Sequence, residues 1–257
     1  MWNKGPRFAL QRAAVSAVAI ACLIPAGGLL LGSLRMNGAF SLAQYEEILL
    51  CTKEFFAWFW NSVGYTAGIL ALCVPVAVLA AYGLSLHRFP GHSALLFLYT
   101  LLMLLPFQAT VVAQYLTLRA LGLLDTPAAI ILPCAFGAFG AFLLTQFMRG
   151  LDSEILEAAR LDGAGWGQIL LHIICPLCRP AILSLVVLQA ISSWSMVDQP
   201  VVFLRSEALL PLSQRLSGQT FGTSAFAAGV LYAVTPMLLY LCCQKALEEG
   251  ISLTSIK

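Results

Sequence analysis

The sequence predicts an all-α polytopic membrane protein with six transmembrane helices, and three observations carry that prediction. Of the 257 residues, 60% are hydrophobic, only 10% are charged, and the mean hydropathy is +0.88. The 14 Lys and Arg and 12 Asp and Glu cannot coat a chain of this size, because a soluble exterior takes about a quarter of a protein's residues as charges. The apolar residues also gather into six runs of the length that a hydrocarbon core about 30 Å thick demands of a helix.

The runs lie at 13–34, 61–85, 95–118, 128–148, 177–198 and 225–244 of a single transmembrane domain covering 1–257. The first follows Lys4, Arg7 and Arg12, as the apolar core of a signal peptide would, but it exceeds a signal's roughly 7–15 apolar residues and reads as a retained span. In lipid every backbone N–H and C=O needs a partner within the protein, so each run should be helical. Pro25, Pro75, Pro106, Pro133 and Pro236 each remove one helical donor, which predicts kinks and a packed bundle in which neighbours re-satisfy the freed carbonyls.

Orientation follows from Lys and Arg. With the N-terminus inside, the inner segments hold Lys4, Arg7, Arg12, Arg88, Arg149, Arg160, Arg179, Lys245 and Lys257, and the outer ones hold Arg35, Lys53, Arg119, Arg205 and Arg215. The excess favours cytoplasmic N- and C-termini and puts the hydrophilic segment 149–176 in the cytoplasm. No basic stripe forms, so nucleic acid is not an expected partner. Cys22, Cys73, Cys134, Cys242 and Cys243 sit in apolar runs as small hydrophobes, and the C-x-x-C of Cys175 and Cys178 lacks the βαβ surroundings of a redox motif.

Between the fourth and fifth runs the chain reads RGLDSEILEAARLDGAGWGQILLHIICPLCRP, where charges cluster. Asp152 or Ser153 is placed to cap a helix, Glu154 and Glu157 suit its positive end, Arg160 falls in the last turn, and Gly163 is placed to end it left-handed. A helix of about two turns is marginal alone, below the roughly 12 residues at which isolated helices begin to form, so a surface must hold it. Ala158 and Ala159 would let such a surface approach closely, and Glu157 could meet an Arg of a partner.

Glu157, Ala158 and Ala159, then Gly163 after three residues, then Ile173 and Pro176, with Asp162 in place, resemble the EAA loop of ABC importer permeases. Cys175 and Leu170 depart from the family's usual Leu and Phe. LHRFPGH, LLPFQATVVAQYLTLRALGLLDT, LPCAFGAFGAFLLTQFM and the tail QKALEEGISLTSIK extend the likeness, which is greatest to the shorter permease of maltose-type, carbohydrate-carrying systems. The resemblance implies a type I ABC importer permease-like bundle in a bacterial inner membrane. It implies a second permease as heterodimer partner, two ATPase subunits and an extracellular solute-binding protein. ATP and Mg would be bound by the ATPase subunits, with no cofactor in this chain. Closure of the ATPase pair would move helix 153–162 and open the pathway outward. Glu157, Ala158, Ala159, Asp162, Gly163 and Pro176 would form the ATPase contact.

Enzymatic readings find no support in the motifs. No Lys follows a Gly, so no P-loop cradles phosphate, and His87, His92 and His172 lack the spacing of a zinc site. Glu46-Glu47 and Glu248-Glu249 are adjacent pairs whose side chains point apart. Asp198, in SSWSMVDQP at the end of the fifth run, is the one carboxylate near a span, and ionisable groups there face a cavity or a partner. Trp194 could stack on a sugar, with Ser195, Asp198 and Gln199 bonding its hydroxyls; an interfacial Trp beside a loop carboxylate explains the same residues. Where the family has Trp-Asn this chain has Trp194-Ser195, which leaves the solute open. An ion-gradient-driven carrier is the alternative, though embedded carboxylates and an inverted repeat are missing.

Overall fold

The computed structural model describes residues 6–254 apart from 37, 87, 88 and 219, and side chains within 12–244 apart from those positions and Ser153. The side chains of Lys4, Arg7, His87, Arg88, Ser153, Lys245, Glu248, Glu249 and Lys257, which enter the arguments above, lie outside the described ones. Helix α1 (Pro6–Ser33) leads into a hairpin of β1 (Arg35–Met36) and β2 (Ala39–Phe40), then α2 (Ala43–Glu46) and a π turn over Glu47–Cys51. Next come α3 (Glu54–Leu86), α4 (His92–Leu104), α5 (Phe107–Ala120), α6 (Pro127–Ala135), α7 (Ala138–Met148) and α8 (Ser153–Leu161). A second π turn, Ile169–Ile174, joins short α9 (Trp166–Gln168) and α10 (Cys175–Leu177). The chain finishes with α11 (Arg179–Trp194), α12 (Asp198–Phe203), α13 (Leu212–Ser217) and α14 (Ala225–Thr254).

Four stretches are long enough and apolar enough to cross a membrane: Arg12–Ser33, Glu54–Leu86, Pro127–Met148, which is interrupted at 136–137 between α6 and α7, and Gly222–Gln244. The count of six is reached with two bent pairs, α4 with α5 at 100° and Trp166–Leu177 with α11 at 75°. The single third helix expected over 95–118 is therefore two. Pro106 supplies no N–H and disfavours helical geometry in the residue before it, and Leu105 is accordingly extended at ψ 119. Helices α1, α3 and α14, by contrast, run through Pro25, Pro75 and Pro236.

The fifth run also ends earlier than expected, at Trp194 rather than 198. Had α11 continued, the Met196 carbonyl would have needed the N–H of residue 200, and that residue is proline. The Ser213 hydroxyl donates to Met196 O instead, at 2.5 Å, so that buried acceptor is paired at the break.

Helix α3 is the axis of the bundle, packed by α6, α7 and α11, with α14 against α11 and α1 along α14. Three cores divide its length, one of them formed by Phe55 and Trp58 of α3 with Ile48, Leu212 and Phe221. At the end carrying α8, Ala77, Ala81 and Tyr82 of α3 meet Leu144 and Met148 of α7, Cys178, Ala181 and Leu185 of α11, and Leu156 and Ala159 of α8. At the far end Tyr65 and Ile69 meet Leu118, Ile130, Met196, Phe203 and Leu204. Gly140 is where α7 crosses α3 and α11 most closely: a Cβ there would lie 3.0 Å from Ala77 Cβ and 3.2 Å from Leu185 Cδ1.

The far end is closed by side chains that bond loop backbone across long stretches of sequence. Asn61 Nδ2 donates to Ala208 O (2.7 Å) and Leu210 O (3.1 Å), the Tyr65 hydroxyl donates to Leu209 O (2.6 Å), and Ser62 Oγ accepts from Leu212 N–H (2.9 Å). Segment 208–212 is thereby sewn onto the third and fourth turns of α3.

Candidate functional site

Helix α8 is short but fully specified at its end. Gly163 has φ +81, its N–H donates to Arg160 O, and the Ala164 N–H reaches back to Ala159 O, the double closure that terminates a helix through a left-handed glycine. At the start, Asp152 occupies the cap position but its side chain makes no capping hydrogen bond, so the expected carboxylate cap is not formed. Glu154 in the first turn and Arg160 in the last complement the helix dipole.

Among the described side chains of α8, Leu156 and Ala159 are the buried ones, both in the core beneath it. That answers what holds so short a helix: a three-residue apolar spacing seated on α3, α7 and α11. It also corrects one expectation, since Ala159 faces the protein's own bundle and only Ala158 is left at the surface. Glu154, Ile155, Glu157, Arg160 and Asp162 are exposed with it, and Leu161 is 89% exposed. Trp166 and Leu171 follow as exposed apolar groups.

Two clefts adjoin α8, one along it and one past its C-terminal end. One, of about 440 Å³, lies between the ends of α3, α7 and α8 and is lined in part by Ser85, Arg149, Glu157 and Arg160. The other, of about 470 Å³, is bounded by Asp162, Gly163, Gln168 and His172. Pro176 is exposed in α10, immediately after the π turn. Cys178 is 0% exposed and Cys175 partly buried, which leaves the pair as packing groups.

The residues singled out for a solute path are not brought together as expected. Trp194 is 4% exposed, stacked on Tyr232 (centroids 5.7 Å apart), met edge-on by Phe59 at 5.6 Å, and its Nε1 donates to Tyr232 O at 3.2 Å. Its donor and much of its ring are therefore committed to packing, and what remains borders an apolar cavity of about 370 Å³ lined also by Thr66, Leu70 and Pro236. Ser195 and Asp198 are exposed and Gln199 half-buried. Asp198 Oδ2 accepts from Gln108 Nε2 at 3.4 Å, which joins the first turns of α12 and α5. Gln108 escaped the sequence reading; its signal is an amide placed two residues after the proline that breaks an apolar run.

Beyond that pair, Arg205 Nη2 donates to the Tyr115 hydroxyl at 3.4 Å. Asp125, at φ +59, accepts from the N–H of Arg205 and Ser206, both at 2.9 Å, and from the Ser206 hydroxyl at 2.5 Å. The Ser206 hydrogen bonds foremost, and then that from Arg205, hold the Asp125 carboxyl below its ordinary value. Among the described residues no three His, Cys, Asp or Glu side chains gather in a group able to hold a metal ion.

These features define a polytopic helical membrane protein with an exposed amphipathic helix at one end and a polar, broken-helix wall towards the other. The family described as "Binding-protein-dependent transport system inner membrane component" matches residues 73–253, and the chain belongs to it: it is a permease component of such a system, in the inner membrane. It is 26% identical over 280 residues to the arabinooligosaccharides transport system permease protein of Bacillus subtilis, covering all of both chains. It is 30% identical to the polygalacturonan/rhamnogalacturonan transport system permease protein of the same organism, covering 85% of this chain and 82% of the relative. A solved structure described as a bacterial ABC transporter involved in the import of the acidic polysaccharide alginate superposes with a TM-score of 0.83 at 24% identity, over 96% of this chain and 99% of that one.

Proposed function

We propose that this permease forms half of a translocation pathway for a sugar or related polyol and that α8 couples the pathway to ATPase subunits. In this reading the chain pairs with a second permease, two ATPase subunits bind ATP and Mg, and a binding protein delivers solute from the other side. The segment 149–176 and both termini lie in the cytoplasm. The carbohydrate systems named for its relatives support the solute class.

One observation carries the coupling reading: α8 is seated on the bundle by Leu156 and Ala159 while Ile155, Ala158 and Leu161 stand exposed among charges on the same short helix. Exposed apolar groups ringed by charges at a membrane protein's aqueous end mark a docking surface. Glu157 and Arg160 flank one cleft and Asp162 and Gly163 the other, so a partner that grips α8 reaches polar groups along the helix and past its end. Pro176 completes the contact region.

The test is Glu157→Lys in the assembled importer. Normal insertion and normal association with the second permease are expected, together with loss of ATPase co-purification and of ATP-driven uptake. Full ATP-driven uptake with this variant refutes the docking surface. Uptake that survives removal of the ATPase subunits and collapses with the ion gradient would make the chain a secondary carrier instead.

A further inference from the structure

We propose that segment 166–177 lies in the plane of the bilayer surface on the α8 side and anchors the permease there, with Trp166 and Leu171 set into the boundary between lipid headgroups and acyl chains. The inference goes beyond the coupling reading and needs only that α11 crosses the membrane. Composition changes sharply after α8. That helix exposes Glu154, Glu157 and Arg160, whereas from Gly163 to Cys178 the sequence holds no Asp, Glu, Lys or Arg. Yet Trp166 is 68% exposed and Leu171 64%. An uncharged stretch showing large apolar groups is unsuited to water, and it lacks the ring of charges that α8 offers a protein partner.

Ile169, Leu170 and Ile174 bury one side of the segment in the core shared with α3, α7 and α11. Gln168 and His172, four residues apart, make its polar side and border the cleft that Asp162 also lines. Leu171 lies one helical step from the buried Leu170 and one from His172, on the flank between the two sides. The axis of Trp166–Leu177 is bent 75° from that of α11. A helix of that length is about 18 Å long. It therefore advances only about 5 Å along α11, or at most about 10 Å in depth when α11 has the ordinary tilt of about 20°. Amphipathic helices lying in a membrane surface sink about 5–10 Å into the headgroup boundary, which is the same interval. Helix α11, with 16 residues, is about 24 Å long, short of a hydrocarbon core about 30 Å thick, so the segments joined to its ends supply the rest of the crossing. Arg149 at the end of α7 and Arg179 at the start of α11 are both exposed and mark where the spans meet the headgroups. Trp166 and Leu171 are thus held at the depth of that boundary, where an indole is at home and an uncharged flank costs nothing.

Two measurements on the intact importer, in vesicles of phosphatidylethanolamine and phosphatidylglycerol, test this. First, the acyl chains are brominated either next to the headgroup or at the chain terminus, and the fluorescence of wild type is compared with that of Trp166→Phe, a change at an exposed position whose difference signal reads Trp166. That signal is expected to be lost with bromine near the headgroup, largely kept with bromine at the terminus, and kept with iodide in the water. Quenching by iodide alone, by neither quencher, or more strongly by the terminal bromine overturns the proposal; protection from both is what a covering ATPase subunit would produce. Second, Leu171→benzoylphenylalanine is irradiated and the adduct identified by mass spectrometry. A phospholipid adduct is expected, and an adduct to an ATPase subunit, or none to lipid, overturns the proposal. Both readouts should persist when Glu157→Lys removes the ATPase subunits, so the coupling reading and this one fail separately.

Discussion

Gly163 gives a graded test of the coupling role proposed for α8 because its contribution separates cleanly into backbone and side-chain terms. The residue sits at φ +81, and a Cβ built there meets nothing within 4 Å. A Cβ therefore introduces no clash, so the effect of Ala or Asn is conformational, whereas Pro also deletes the N–H that bonds Arg160 O. An L-residue in the left-handed region costs about 1–2 kcal/mol, Asn costs less because its side chain tolerates that geometry, and Pro, with φ held near −65°, is excluded from it. The two hydrogen bonds that close α8, from Gly163 N–H to Arg160 O and from Ala164 N–H to Ala159 O, depend on this conformation. Since α8 has nine residues and two buried side chains, a loss of about 1–2 kcal/mol is a large fraction of its local stability. Affinity for the ATPase subunits should therefore fall about 5–30-fold for Gly163→Ala, less for Gly163→Asn and most for Gly163→Pro. Binding of ATPase subunits to the purified permease pair, alongside hydrogen exchange of the 153–164 amides, measures both ends of the argument. Equal affinities for Gly, Asn and Ala would show that α8 needs no left-handed stop and would refute it.

Two further outcomes follow from the fold. Gly140→Ala, which forces a Cβ to within 3.0 Å of Ala77 Cβ, should destabilise the bundle by about 1–3 kcal/mol in detergent unfolding, whereas Gly64→Ala, with nothing within 4 Å, should be near neutral; similar losses for both would contradict the close crossing at Gly140. Asp125 has a folded pKa below its ordinary 3.8, so its stabilisation of the 204–206 loop is complete above the unfolded value and is lost as pH falls through the folded one. Proteolytic cleavage at 204–210 should accordingly rise only on acidification below about pH 3.8, and in Asp125→Asn it should be high at every pH, with this step absent.

Much of the fold was legible because lipid leaves a run of about 20 apolar residues one good solution. Four apolar helical stretches lie over the first, second, fourth and sixth runs, while the third is broken at Leu105–Pro106 and the fifth stops at Trp194; the Gly163 stop was readable from residue type alone. The failures have a common physical origin. Whether a proline kinks a helix or breaks it depends on who takes the freed carbonyl, and sequence periodicity cannot see that Ser213 waits for Met196 O. The packing of 208–212 is specified by Asn61, Ser62 and Tyr65, some 150 positions away. Ala158 and Ala159 look equivalent in a motif, yet a 100° step around the helix turns one outwards and the other into the core. Trp194 had a sugar-stacking pattern, and the aromatic neighbours that occupy its faces come from α3 and α14.

The position of Ala159 also bears on how a displacement of α8 would travel. Ala159 and Leu156 belong to the same packed cluster as Ala77 and Ala81 of α3, Leu144 and Met148 of α7 and Leu185 of α11. Gly140 lets α7 approach both neighbours so closely that these helices cannot slide independently, and close-packed interiors transmit displacement instead of absorbing it. Helix α5 is different: it is joined to α4 through a 100° bend at Leu105 and Pro106 and buries only Leu118 fully. A pull on α8 would move α3, α7 and α11 as one body and change their relation to the polar wall at the Gln108–Asp198 contact. Reversing a 1:99 distribution takes about 5.5 kcal/mol of differential binding, more than two buried side chains of α8 and a single long amide–carboxylate hydrogen bond would withstand in isolation. The coupling reading therefore requires the exposed residues of α8, Ile155, Ala158 and Leu161 among them, to be buried by the partner that pulls. Protection of those three positions from solvent labelling on adding ATPase subunits is the expected result, and their continued exposure in an assembly that transports would mean the stroke enters elsewhere.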